Sequence, residues 1–115
     1  MQKRIVFRNM EKTNHMEEYC DKKLEKIIHF LESEERFPIT LDLILEPSKV
    51  HAHHKIELRV NTPDYHKISH HEGPQFYEEL DRVIDTMYQE LHKAKDKLTE
   101  HRREINRHDE VKKAR

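Results

Sequence analysis

The chain predicts an α+β fold: a two-layer sandwich in the order β-α-β-β-β-α, with a four-stranded sheet and two amphipathic helices on one of its faces. Three observations predict it. HKIELRVN alternates Ile56, Leu58 and Val60 with Lys55, Glu57 and Arg59, the period of two of a strand with one buried face. Two longer segments repeat apolar residues at three- and four-residue steps, as helices lying on a sheet do. No internal repeat or linker divides the 115 residues, a length that suits one domain.

The elements follow in order. KRIVFRN, Lys3 to Asn9, alternates and is rich in β-branched and aromatic residues, which predicts strand one. In the next segment Met16, Cys20, Leu24, Ile27 and Leu31 form a helical stripe. Thr13 stands at the N-cap position and Glu17 and Glu18 in the first turns, so helix one spans about Asn14 to Leu31. After a polar break, PITLDLILEP places Ile39, Leu41, Leu43 and Leu45 on one face of strand two, and HKIELRVN is strand three. NTPDY is a turn by composition. YHKISHH is a shorter fourth strand whose register stays open, because Tyr65 and Ile68 do not alternate. Gly73 and Pro74 read as the cap and first position of helix two. Leu80, Ile84, Met87, Leu91, Ala94 and Leu98 continue its stripe for more than six turns. The expected division is a domain over residues 1–101 and a charged extension over 102–115, either a projecting helix or a frayed tail.

With 34% hydrophobic and 39% charged residues, the core must be drawn from few positions. Net charge is −1, but its distribution is uneven: His92 to Arg115 holds nine Lys and Arg against five Asp and Glu, and the rest of the chain has an acidic excess. That segment suggests a basic helix with its own partner. One cysteine, Cys20, and no apolar N-terminal run predict a reducing, cytoplasmic setting and no membrane. Cys20 lies on the apolar stripe of helix one and reads as a small buried hydrophobe. A single glycine rules out a Gly-rich phosphate loop, and neither G-x-S-x-G nor H-E-x-x-H occurs. No enzyme, no cofactor and no small-molecule substrate is expected.

Three histidines within VHAHHKIELRVNTP raise the question of a metal. His51 and His53 have no Cys pair or second short ligand pair to support them, so no metal site is expected. By strand parity they share an outer face with Lys55 and Arg59, interrupted by Glu57. This is a solvated polar stripe, or a weakly basic one that gains charge as histidines protonate. A stronger basic set comprises Lys22, Lys23 and Lys26 on helix one with Lys93, Lys95, Lys97, Arg102 and Arg103 at the end of helix two. Spaced cations of this kind neutralise phosphate backbones without reading bases. They equally suit a solvated helix paired with Glu100 and Glu104. Aromatics are few and none alternates with the basic residues along the chain, so an RNA partner would be held by shape and phosphates.

NTPDYHKISHHEGPQFYEELDRVIDTMYQELHKAKDKL, Asn61 to Leu98, resembles the C-terminal half of the ribosome hibernation promoting factor family, which includes the ribosome-associated inhibitor. That family shows NTP in the turn and a helix with D-M-Y-x-A-I-D followed by basic residues. QFYEELD keeps Tyr77 and Asp81, and Gln75, Phe76, Glu79 and Leu80 are substitutions. KAKDKL falls in the family's phase, and IVFRNMEKT through LEKIIHFL fits its first strand and helix. The resemblance covers the chain to about His101. It implies the fold drawn above and a stress or stationary-phase factor in the cytoplasm, bound where messenger and transfer RNA would lie on the small ribosomal subunit. Its partners would be the ribosome and small-subunit ribosomal RNA. By carry-over Lys23, Lys26, Lys93 and Lys97 are RNA contacts, supplemented by Arg82, Lys95, Arg102 and Arg103. Thr86 and Gln89 stand where the family usually has Lys and Arg, which implies weaker or displaced binding. The end at Arg115 resembles the family's short form. The alternative reading is a protein-interaction module, in which the long charged helix pairs with a partner helix or its own copy. Near-neutral net charge and the two absent cations favour that alternative.

Overall fold

The computed structural model describes residues 1–35, 37–49 and 52–113, with side chains as far as Arg102. The order is β1 Gln2–Phe7, α1 Asn14–Ser33, β2 Thr40–Pro47, β3 His54–Asn61, β4 His66–Gly73 and α2 Phe76–Lys113. The sheet is ordered β1-β2-β3-β4, with β1 parallel to β2 and the other pairs antiparallel. This is the predicted α+β arrangement.

Each boundary has a local cause. Asn9 takes a positive φ of 52°, which asparagine tolerates, and β1 ends at Phe7 ahead of that turn. The Thr13 hydroxyl accepts the Met16 N–H at 3.1 Å and caps α1, whose stripe Cys20, Leu24, Ile27, Phe30 and Leu31 is buried. The predicted turn NTPDY is closed by Thr62, whose hydroxyl accepts the Tyr65 N–H at 2.9 Å while its own N–H reaches the Tyr65 carbonyl at 2.8 Å.

β4 is longer than expected, eight residues like β2 and β3, and its register, left open by the sequence, is set by its pairing with β3. Pairing of His54 with Gly73 and of Asn61 with His66 turns Lys67, Ser69, His71 and Gly73 inward and leaves Ile68 exposed. The inward positions hold no large apolar residue, so hydropathy could not reveal the face. Their packing is polar and close: the Ser69 hydroxyl donates to the Val83 carbonyl at 2.9 Å. Gly73 is the last residue of β4 and not a helix cap, and α2 starts at Phe76 with the Glu79 N–H bonded to the Gln75 carbonyl at 2.9 Å. The glycine is needed for space, because a Cβ there would overlap the Glu79 carboxylate.

The core lies between the inner sheet face and the two helices. Leu41, Leu43, Leu45, Ile56, Leu58 and Val60 from the sheet meet Leu24, Ile27 and Leu31 of α1 and Leu80, Ile84, Met87 and Leu91 of α2. The helices run side by side in the same direction, since His15 and Tyr19 meet Tyr77, Lys26 meets Asp85 and Glu34 meets Lys95. α2 is helical through the expected boundary at residue 101 as far as Lys113, so its last part projects past the sheet.

Candidate nucleic-acid interface

The cations fall into three groups with different electrostatic surroundings. The first lines the seam between α1 and α2. Lys23 sits 3.3 Å from Asp81, which also accepts the Tyr19 hydroxyl at 2.9 Å, and Lys26 sits 3.2 Å from Asp85. The Asp81 hydrogen bond and charge hold Lys23 above its usual pKa, and the Tyr19 hydroxyl is pushed up by burial and then by Asp81. Lys95 closes the far end on Glu34 at 2.7 Å, and that hydrogen bond raises its pKa. Arg82 pairs with Glu79 at 3.1 Å. The seam interleaves aromatics with cations in space, although the sequence does not: Lys23 lies over Tyr19, Lys26 lies over Tyr88 at 4.2 Å and Lys95 lies over Phe30. Those ring faces are therefore occupied by lysines.

The second group is the outer sheet face. The stripe expected from Lys55 and Arg59 is balanced once neighbouring strands are added. Registration sets Asp42 beside Arg59 and places Lys55 between Glu46 and Glu72. Arg4 binds Asp42 at 3.3 Å and Arg59 binds Glu57 at 2.8 Å. Parity along β3 shows Glu57 alone, because the other acids, Asp42, Glu46 and Glu72, come from β2 and β4. His53 precedes β3 and its carbonyl accepts the Ser48 N–H at 2.8 Å, while His51 lies outside the described residues. His54 faces inward, with its ring 5.5 Å from Phe76. Among the described residues no group of three His, Cys, Asp or Glu side chains is placed to hold a metal ion.

The third group is where α2 leaves the sheet. Lys93 and Lys97, four residues apart on one helix face, border an open groove of about 390 Å³ whose other wall is the β3–β4 turn and the start of β4. Lys67 enters from β4 and His101 from the next helical turn. Among the described residues Lys67 and Lys97 have no acidic partner, and Lys93 has only a loose one, Glu90 at 3.7 Å. Arg102 is exposed on the same projecting helix, and the side chain of Arg103 lies outside the described residues. Lys67 and His101 escaped the sequence reading. Finding Lys67 required the register of β4, whereas His101 follows Lys93 and Lys97 at helical spacing and was legible in principle.

These geometries divide seven of the eight expected RNA contacts, the side chain of Arg103 lying outside the described residues. Lys23, Lys26, Arg82 and Lys95 are held by carboxylates of the same chain, and Lys93, Lys97 and Arg102 present charge to solvent. Among the described residues no helix is long and apolar enough to cross a membrane.

A family model described as sigma 54 modulation protein / S30EA ribosomal protein matches residues 4–99. Among solved structures, the N-terminal domain of Protein Y from Thermus thermophilus is similar, with a TM-score of 0.65 at 20% identity over 78% of this chain and 94% of that one. A ribosomal subunit interface protein from Coxiella burnetii gives a TM-score of 0.64 at 17% identity, over 84% of this chain and 99% of that one. At those identities the two structures speak for the fold. None of the curated proteins compared with the chain matches it.

Proposed function

The chain belongs to the sigma 54 modulation protein / S30EA ribosomal protein family, and from that premise we propose that it is a ribosome-binding translation inhibitor of the hibernation type. It occupies the messenger and transfer RNA path of the small subunit under stress or in stationary phase, acts in the cytoplasm by binding alone, and performs no catalysis. The observation that carries the reading is the set of uncompensated cations on the projecting half of α2. Lys97 has no acidic partner among the described residues and Lys93 only the loose one at 3.7 Å, whereas Lys23, Lys26, Arg82 and Lys95 are each paired with a carboxylate of the same chain at 3.3 Å or less. Uncompensated lysines release condensed counterions from phosphate backbones, whereas paired ones must first give up a carboxylate. Lys93, Lys97 and Arg102 are thus the leading contacts with small-subunit ribosomal RNA, and Lys23, Lys26, Arg82, Lys95 and Arg103 are secondary.

Sedimentation with purified ribosomes at rising salt tests the reading. Wild type co-migrates at low salt and is released as salt rises. Lys93→Glu with Lys97→Glu weakens binding and flattens the salt slope by about two charges. Failure of the wild type to co-migrate even at low salt removes the proposal. The apolar stripe of α2 is spent on the sheet, with Leu80, Val83, Ile84, Met87 and Leu91 all buried, which argues against helix pairing as the main activity.

A further inference from the structure

The groove beside the projecting half of α2 has more than positive charge. Tyr65, which is buried, and the half-buried Ala94 and Leu98 supply its apolar lining. Lys67, Lys93 and Lys97 stand on its rim, and so do two carboxylates, Asp64 and Glu90. A groove made only for phosphates would gain nothing from acids, which repel them. A groove made for a whole ribonucleotide has a use for all three kinds of group. Lysines neutralise the phosphate, an apolar lining receives one base face, and a carboxylate accepts hydrogen bonds from ribose hydroxyls. The volume of about 390 Å³ lies within the range of small-ligand pockets. Lys93 and Lys97 are separated by about 6 Å along the helix axis, so both reach one phosphate group or two adjacent ones. Glu90 lies 3.7 Å from Lys93 and retains acceptor capacity, since a carboxylate has about four lone-pair sites.

We propose that the groove formed by Lys67, Lys93, Lys97, Ala94 and Leu98, with Asp64 and Glu90 on its rim, binds one ribonucleotide. The ribonucleotide is an unpaired residue of an RNA strand or a free nucleotide, and the strand-borne case rests on the ribosome-binding reading above. Lys67 of β4 becomes a ligand contact that the helices alone would not reveal.

Titration of the full chain with ADP, with a short unstructured RNA, and with DNA of the same sequence tests the groove and separates the sources. RNA is expected to bind about fivefold more tightly than DNA, the difference of one or two hydroxyl hydrogen bonds. Saturable ADP binding marks a free nucleotide, and RNA binding without ADP binding marks the strand-borne case. Lys67→Gln removes a phosphate contact, and Ala94→Met crowds the apolar lining without altering charge. Each is expected to weaken the bound ligand about tenfold while the thermal melt stays close to wild type. Unchanged affinity in both variants overturns the proposal, as does equal binding of RNA and DNA or no binding of either ligand. Wild-type ribosome co-sedimentation, run in parallel, keeps the two ideas apart. Retained co-sedimentation without nucleotide binding removes the groove alone, and lost co-sedimentation removes the ribosome reading and ribosomal RNA as the source of the strand.

Discussion

Gly73 shows how much one absent methyl group determines. Its inward position is filled by Glu79, a side chain only 2% exposed, whose Oε1 accepts from Arg82 and lies 3.5 Å from the His71 ring. Its Oε2 is buried with no hydrogen-bond partner among the described residues. Gly73→Ala should destabilise the chain by about 1–3 kcal/mol through overpacking. In a Glu79→Ala background the same change should be neutral or better, with a coupling above about 0.5 kcal/mol in urea melts. Additive effects would show that the two positions do not compete for space. The sequence displayed both residues but not their meeting, which depends on β4 register. Cys20 is the opposite case, legible from its place on a helical stripe. Burial, more than the nearby Asp21 and Glu17 charges, pushes its thiol up to about 12. A thiol reagent at mildly alkaline pH should therefore react slowly with the folded chain and fast once urea is added. Rapid native labelling would contradict the burial.

At the scale of elements, strands two and three and both helical stripes were readable because each buries one face against a single partner layer. β4 was not, because its inward residues are Lys67, Ser69, His71 and Gly73, which interact through hydrogen bonds and fit. The seam between α1 and α2 was unreadable for a related reason: Lys23 and Asp81 are far apart in sequence and meet only when the helices lie parallel. These pairs predict a gain on neutralisation. Asp81→Asn with Asp85→Asn frees Lys23 and Lys26, and should tighten ribosome co-sedimentation and steepen its salt dependence. Weaker binding would mean that the carboxylates position the lysines productively. The pH sign is also determined. A lysine with a raised pKa gives stability that is present below the ordinary value of about 10.5 and is lost as pH rises through the folded one. Lys23–Asp81 should thus survive the whole neutral range, and the exposed pair should respond to salt instead.

Across the whole molecule, the charge asymmetry read from the sequence acquires a direction. The helices run parallel, so both N-termini lie at one end. Residues 76–90 of α2 contain five Asp and Glu against one Arg. Over residues 91–102 the balance reverses, with four Lys and Arg against two acids, and this is the stretch that runs out past the sheet. The molecule is elongated, 66 × 26 × 17 Å, and the separation follows its long dimension. A near-neutral chain of this kind has a large electric dipole moment with little monopole. A polyanion would exert small net attraction on it at long range but a strong torque, turning the projecting end of α2 forward before any contact forms. Association should then depend on the order of charges along the helix more than on their number.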